Sequence, residues 1–198
     1  ETPLIEVCKA LLDSTRFQSL NYKDDDGDSA LHVVVMTTFS NEEIPVETVR
    51  LLLECPRVDV NCVNNEMRTA MHCAAKDCTS AGEEPDMLRV FLESKAFNEV
   101  NKANKKGQTV LHEALFTASD KTEMEELGVE PEEQEIAAEK ACRLILESPK
   151  FTARDARDEN GKTALDIAVD SGLERICKLL REAETHVVDP GEIQLLQK

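Results

Sequence analysis

The sequence predicts an all-α solenoid in which pairs of short helices stack layer upon layer, and three observations predict it. One phrase is written four times: Ser29-Ala30-Leu31-His32, Thr69-Ala70-Met71-His72, Thr109-Val110-Leu111-His112 and Thr163-Ala164-Leu165-Asp166. Internal repetition of this kind decides a fold before other signals do. A second apolar stretch comes after each copy, beyond a gap: Val49-Arg50-Leu51-Leu52-Leu53, Leu88-Arg89-Val90-Phe91-Leu92, Cys142-Arg143-Leu144-Ile145-Leu146 and Ile176-Cys177-Lys178-Leu179-Leu180. Aromatic residues make up only 4% of the 198 residues and Trp is absent, so the core must be built from Leu, Val, Ile, Ala and Cys. That composition suits thin helical layers.

Residues 1–22 form an N-terminal cap whose helix, from Pro3 to Asp13, bears Leu4, Val7, Cys8, Leu11 and Leu12 at helical spacing. It is expected to be the outer helix of a truncated repeat. Four repeats then occupy 24–55, 60–94, 100–148 and 153–181. In each, a Ser or Thr marks the helix start, because its oxygen can accept from backbone amides that lack helical partners. A turn glycine precedes the hydroxyl residue by two positions in three copies, Gly27, Gly107 and Gly161, where positive φ is expected. One helix pair cannot cover its own apolar face, so the copies must share one continuous core spanning 1–182. Residues 183–198, with Val187-Val188 and Ile193-Gln194-Leu195-Leu196, either cover the last layer or begin a degenerate repeat.

The repeated phrase resembles the ankyrin-repeat signature T-P-L-H-x-A, and the resemblance runs from the first helix to about Leu180. Val60-Asn61 and Val100-Asn101 resemble that family's approach to the next turn. All four copies lack the proline of the signature, bearing Ala30, Ala70, Val110 and Ala164, which removes a little preorganisation from the first helical turn. The resemblance implies that His32, His72 and His112 brace adjacent turns and are not catalytic. Asp166 takes their place in the fourth copy.

The hydroxyl positions are spaced by 40, 40 and 54 residues, against a usual period of about 33. The extra residues fall between the two helices of each repeat, around Thr37 to Pro45, Asp77 to Pro85 and Thr117 to Pro131. Insertions at one point of successive repeats project from one edge. Between Asp120 and Glu139 lie nine carboxylates and one lysine. This acidic insertion, 117–131 and the helix after it, includes Glu123, Glu125, Glu126, Glu130, Glu132 and Glu133. It reads either as a solvated loop running into a helix from about Pro131, whose start favours negative charge, or as a landing site for a basic segment.

Charge and cysteine usage narrow the function. With 23 Lys and Arg against 40 Asp and Glu the net charge is −17, which disfavours direct nucleic-acid binding and favours basic protein partners. The seven cysteines are odd in number and scattered, with Cys8, Cys73, Cys142 and Cys177 in helical stretches, which points to a reducing compartment, cytoplasmic or nuclear. His72-Cys73 with Cys78 lacks the paired spacing of a zinc knuckle, so no metal or cofactor is expected. No phosphate loop, H-E-x-x-H or G-x-S-x-G is present, and an enzyme is not expected. No run is long enough to span a membrane. The chain opens at Glu1 without a signal peptide and reads as a monomeric fragment of something longer.

The turn tips are the expected partner surface: Asp24, Asp25, Asp26 and Asp28; Asn64, Asn65, Glu66, Met67 and Arg68; Asn104, Lys105 and Lys106; Asp158 and Glu159. In the ankyrin family such tips, with the inner helices, generally hold partners. Met67 stands where the other tips have Gly, so this turn either has a different backbone or retains a side chain at a strained position. The first two repeats, Asp26-Gly27-Asp28-Ser29-Ala30-Leu31-His32 and Asn64-Asn65-Glu66-Met67-Arg68-Thr69-Ala70-Met71-His72, are similar to those of the IκB family, inhibitors and cofactors of NF-κB. That likeness implies that these tips hold a basic segment of a transcription factor. The alternative is an interaction module of a larger protein, such as a channel cytoplasmic domain or a ubiquitin-ligase substrate adaptor.

Overall fold

A computed structural model describes residues 3–36, 46–77, 85–119 and 131–185 of the chain. Its helices are α1 (Pro3–Asp13), α2 (Ala30–Met36), α3 (Val46–Glu54), α4 (Ala70–Asp77), α5 (Asp86–Glu93), α6 (Val110–Ser119), α7 (Pro131–Glu147), α8 (Ala164–Ser171) and α9 (Glu174–Thr185), with a short 3-10 turn at Ser19–Asn21. The repeated phrase opens α2, α4, α6 and α8, which pack side by side as an inner row. The second apolar stretches form α3, α5, α7 and α9, which continue from α1 as an outer row. Each inner helix also packs on the outer helix next in the chain. Among the described residues no strand forms. The predicted all-α solenoid is the observed architecture.

Burial at equivalent positions shows how the layers share a core. Ala70, Val110 and Ala164 are buried, as are Cys73 and Glu113 one helical turn later, and together they line the edge facing the preceding layer. On α2 the same edge is bare: Ala30 is exposed and Val33 is 41% exposed. The opposite edge holds Val35, Ala75 and Leu115, all buried, whereas their counterpart on the last inner helix, Val169, is 50% exposed. An inner helix is therefore buried all round only where it has neighbours on both sides.

The same logic explains the exposure pattern of α1. Of the residues at helical spacing, Val7 and Leu11 are exposed, Cys8 and Leu12 are partly buried, and the side chain of Leu4 lies outside the described residues; Ile5, outside that set, is buried. Helix α1 packs on α3 but has no described inner helix beside it, so half of its apolar stripe faces outward.

Asparagines 40 residues apart tie each layer to the next. Asn21 donates to the Arg57 carbonyl and accepts from the Asp59 amide. Asn61 does the same with Ala96 and Asn98. Asn101 donates to Lys150 and accepts from the amides of Thr152 and Ala153. Basic side chains cover exposed carbonyls where helices end: Arg57 reaches those of Leu12, Ser14 and Phe17, Lys150 those of Ser94 and Phe97, and Arg154 those of Leu146 and Ala183. Cations are favoured there by the partial negative charge of a helix C-terminus. Helix α8 stops at Gly172, whose φ of 74° is open to glycine at no steric cost.

Candidate functional site

The four turn tips share one backbone. Each begins with Asp or Asn, whose Oδ1 folds back onto two amides of its own turn. Asp24 accepts from Asp26 and Asp28 at 3.0 and 2.8 Å. Asn64 accepts from Glu66 and Arg68, Asn104 from Lys106 and Gln108, and Asp158 from Asn160 and Lys162, all at 2.8 to 3.0 Å. Such Asx turns relieve amides that no helix or sheet would pair. Through Oδ1 these four side chains support the architecture of their own loops, and Asp24 is also exposed.

Successive tips are also hydrogen-bonded to one another. The amides of Asn65, Lys105 and Glu159 donate to the carbonyls of Asp26, Glu66 and Lys106 at 2.9, 2.9 and 2.7 Å. Asn65 Nδ2 adds a bond to the Asp25 carbonyl, and Asn64 Nδ2 one to the Asp28 carboxylate. The tips therefore form one continuous edge.

Close contact between tips explains one glycine. At Gly27, with φ of 78°, a Cβ would lie 2.6 Å from Asn65 Oδ1. Met67 adopts the same left-handed backbone, with φ of 58°, although it bears a side chain. Its backbone is therefore not a different turn. The conformation costs roughly 1 kcal/mol, and the side chain remains 42% exposed.

The three histidines hold the edge onto the helices. His72 Nδ1 accepts from the Thr69 amide at 3.1 Å and lies 2.8 Å from its hydroxyl, while Nε2 meets the Lys102 carbonyl at 3.0 Å. His32 and His112 repeat this with Ser29 and Arg68, and with Thr109 and Lys162. Because Nδ1 accepts from an amide, Nε2 bears the proton, and each ring is neutral. Burial pushes all three imidazoles below their ordinary pKa, His72 to about 4. Groups held neutral inside a brace are structural.

The fourth copy has no described turn beyond it for an imidazole to reach. Asp166 instead closes a capping box with Thr163, its carboxylate accepting from the Thr163 amide at 2.9 Å while the Asp166 amide donates to Oγ1 at 3.1 Å. The amide and hydroxyl of Thr163 hold the Asp166 carboxyl below the usual carboxylate range.

Arg68 is engaged within the molecule. Its Nε donates to Glu113 Oε1 at 2.9 Å, and Asn104 Nδ2 donates to the same oxygen at 2.8 Å. Sequence reasoning missed Glu113. Its signal was a carboxylate in the copy of the phrase where the others have Val33, Cys73 and Ile167. It also missed Asn21, although Leu20-Asn21 stands 40 residues before Val60-Asn61.

Of the predicted tip residues, Asp24, Asp25, Asp26, Asn65, Glu66, Met67, Lys105, Lys106 and Glu159 are exposed. Lys105 Nζ lies 3.7 Å from Glu66 Oε1, a loose surface pair. In the acidic stretch, Glu123, Glu125, Glu126 and Glu130 lie outside the described residues. Glu132 and Glu133 are exposed at the start of α7, where Glu132 pairs with Arg175 at 3.1 Å. Glu135 accepts from the Arg175 amide at 2.8 Å, serving an otherwise unpaired donor at the N-terminus of α9. This end of the acidic stretch thus contributes to docking α9. Among the described residues no His, Cys, Asp and Glu cluster could hold a metal, and no disulfide forms. No described helix is long and apolar enough to cross a membrane.

Comparison with known proteins agrees with this geometry. Residues 41–124 match the family model described as ankyrin repeats (3 copies). No curated protein matches the chain. Among solved structures, the crystal structure of EF0377, an ankyrin repeat protein, superposes with a TM-score of 0.66 at 22% identity, covering 89% of this chain and 74% of that one. Ankyrin repeats are generally noncatalytic protein-interaction modules. Residues 41–124 are similar to ankyrin repeats, and the fold is the ankyrin-repeat solenoid.

Proposed function

We propose that the chain is a noncatalytic protein-binding module that holds a partner segment along its turn tips, with the acidic first tip receiving a basic stretch. One observation supports this most directly: hydrogen bonds between successive tips align four turns into a rigid edge while leaving Asp25, Asp26, Glu66, Met67, Lys105, Lys106 and Glu159 exposed. A preordered edge loses little conformational entropy on binding, so a few contacts suffice for affinity. The net charge of −17 adds long-range attraction for a basic partner. The likeness of the first two repeats to the IκB family makes a transcription factor of the NF-κB type the specific candidate. A reducing compartment, cytoplasm or nucleus, suits the scattered cysteines.

Binding of a purified NF-κB dimer, measured by biolayer interferometry across a salt series, tests this reading. The variant Asp25→Lys/Asp26→Lys spares Asp24, whose side chain serves its own loop, and Asp28, whose carboxylate accepts from Asn64 of the next tip. Weaker binding by the variant, with unchanged circular dichroism, is expected. Equal affinity at every salt concentration would exclude the first tip, and no binding by either protein would exclude the IκB-like role.

A further inference from the structure

The exposed tip residues do not share one sign. Asp25, Asp26 and Glu66 are acidic, Lys105 and Lys106 are basic, and Glu159 is acidic again. The basic side chains nearest the first tip are engaged elsewhere, Lys23 Nζ donating to the Val63 carbonyl at 2.7 Å and Arg68 bound to Glu113, while Glu66 pairs only loosely with Lys105 at 3.7 Å. Between the acidic and basic stretches stands Met67, the exposed apolar residue of the edge. A uniformly basic segment long enough to cross three tips would end against like charge at Lys105 and Lys106.

Layer spacing converts this order into a pattern for the partner. Packed helices lie about 10 Å apart, and an extended chain advances about 3.3 Å per residue, so about three partner residues cross one layer. We infer that the tip edge takes an extended protein segment of opposed charges. Lys or Arg sits against Asp25 and Asp26, an aliphatic residue about three positions on sits against Met67, and Asp or Glu about three further on sits against Lys105 and Lys106. This rests on the reading of the tips as the partner surface, keeps the basic stretch at the first tip, and adds an aliphatic and then an acidic stretch beyond it. The unbranched thioether of Met67 adapts to different aliphatic side chains and excludes water between the two charged contacts.

The test is selection of a random dodecapeptide library displayed on phage against the immobilised 198-residue chain, and in parallel against Lys105→Glu/Lys106→Glu. On the unaltered chain the enriched peptides are expected to be basic in one half and acidic in the other, with an aliphatic residue between. On the variant they are expected to be basic in both halves. A synthetic copy of the leading peptide should bind about tenfold more weakly to that variant and to Met67→Gly. Uniformly basic peptides enriched equally on both proteins would overturn the opposed-charge pattern while leaving the tips as a binding surface. Enrichment of no peptide would overturn both.

Discussion

Arg68 Nε lies 2.9 Å from Glu113 Oε1, joining the second tip to the third inner helix through a carboxylate whose side chain is 1% exposed. A buried charge deprived of its partner is costly, whereas replacing both partners by apolar groups is often neutral. Arg68→Met should therefore destabilise the chain by about 3 kcal/mol, and Arg68→Met/Glu113→Leu by much less. Urea unfolding monitored by circular dichroism checks both. An additive double variant would show that the pair is not coupled.

Stability should fall on acidification because of the histidines. Their folded pKa values lie below the unfolded value of about 6.5, so the unfolded chain binds more protons in that interval and stability rises with pH across it. The contribution is intact above pH 6.5 and is lost progressively below it, for His72 down to about pH 4. For His72 the full loss is about 3 kcal/mol. Urea midpoints measured from pH 7.5 to pH 4.5 should drop, with a shallower slope in His72→Gln. An unchanged slope in that variant would remove His72 as the cause.

Asn101→Ala should cost about 2 kcal/mol, since the loop at 150–153 loses three hydrogen bonds at once. Amide hydrogen exchange would show loss of protection at Thr152 and Ala153. Protection unchanged there would mean that the loop is held by other contacts.

Met67→Gly should raise stability by about 1 kcal/mol, because glycine occupies the left-handed turn without strain. Thermal unfolding measures it. A lower melting temperature would show that the thioether stabilises the free chain.

Asp166→Ala removes half of the capping box and should lower the melting temperature, while Asp166→Asn should lower it less. The pair is compared by thermal melts at pH 7. Equal melting temperatures for all three proteins would deny the cap a role.

Much of the fold was legible because stacking constrains every copy in the same way. Leu31, Met71 and Leu111 are buried at one position of the phrase, and the helix boundaries track hydroxyl residues, prolines and turn glycines. The candidate edge was legible only as a set of loops. Asp24, Asn64, Asn104 and Asp158 look like surface residues in the sequence, yet each is folded onto its own turn.

By itself the sequence determined the repeat, the helix pairs, the acidity and the recurring histidines, since each of these is local or periodic. Tertiary structure alone decided which of those residues remain exposed. The partners of Arg68, Asn61 and His112 lie 45, 37 and 50 residues away, and only the stacking of successive layers brings them together. Residues at the two ends of the array differ from their interior counterparts for the same reason: Val33 and Val169 have no described inner helix on their outer side, and only a stacked neighbour turns an apolar position into core.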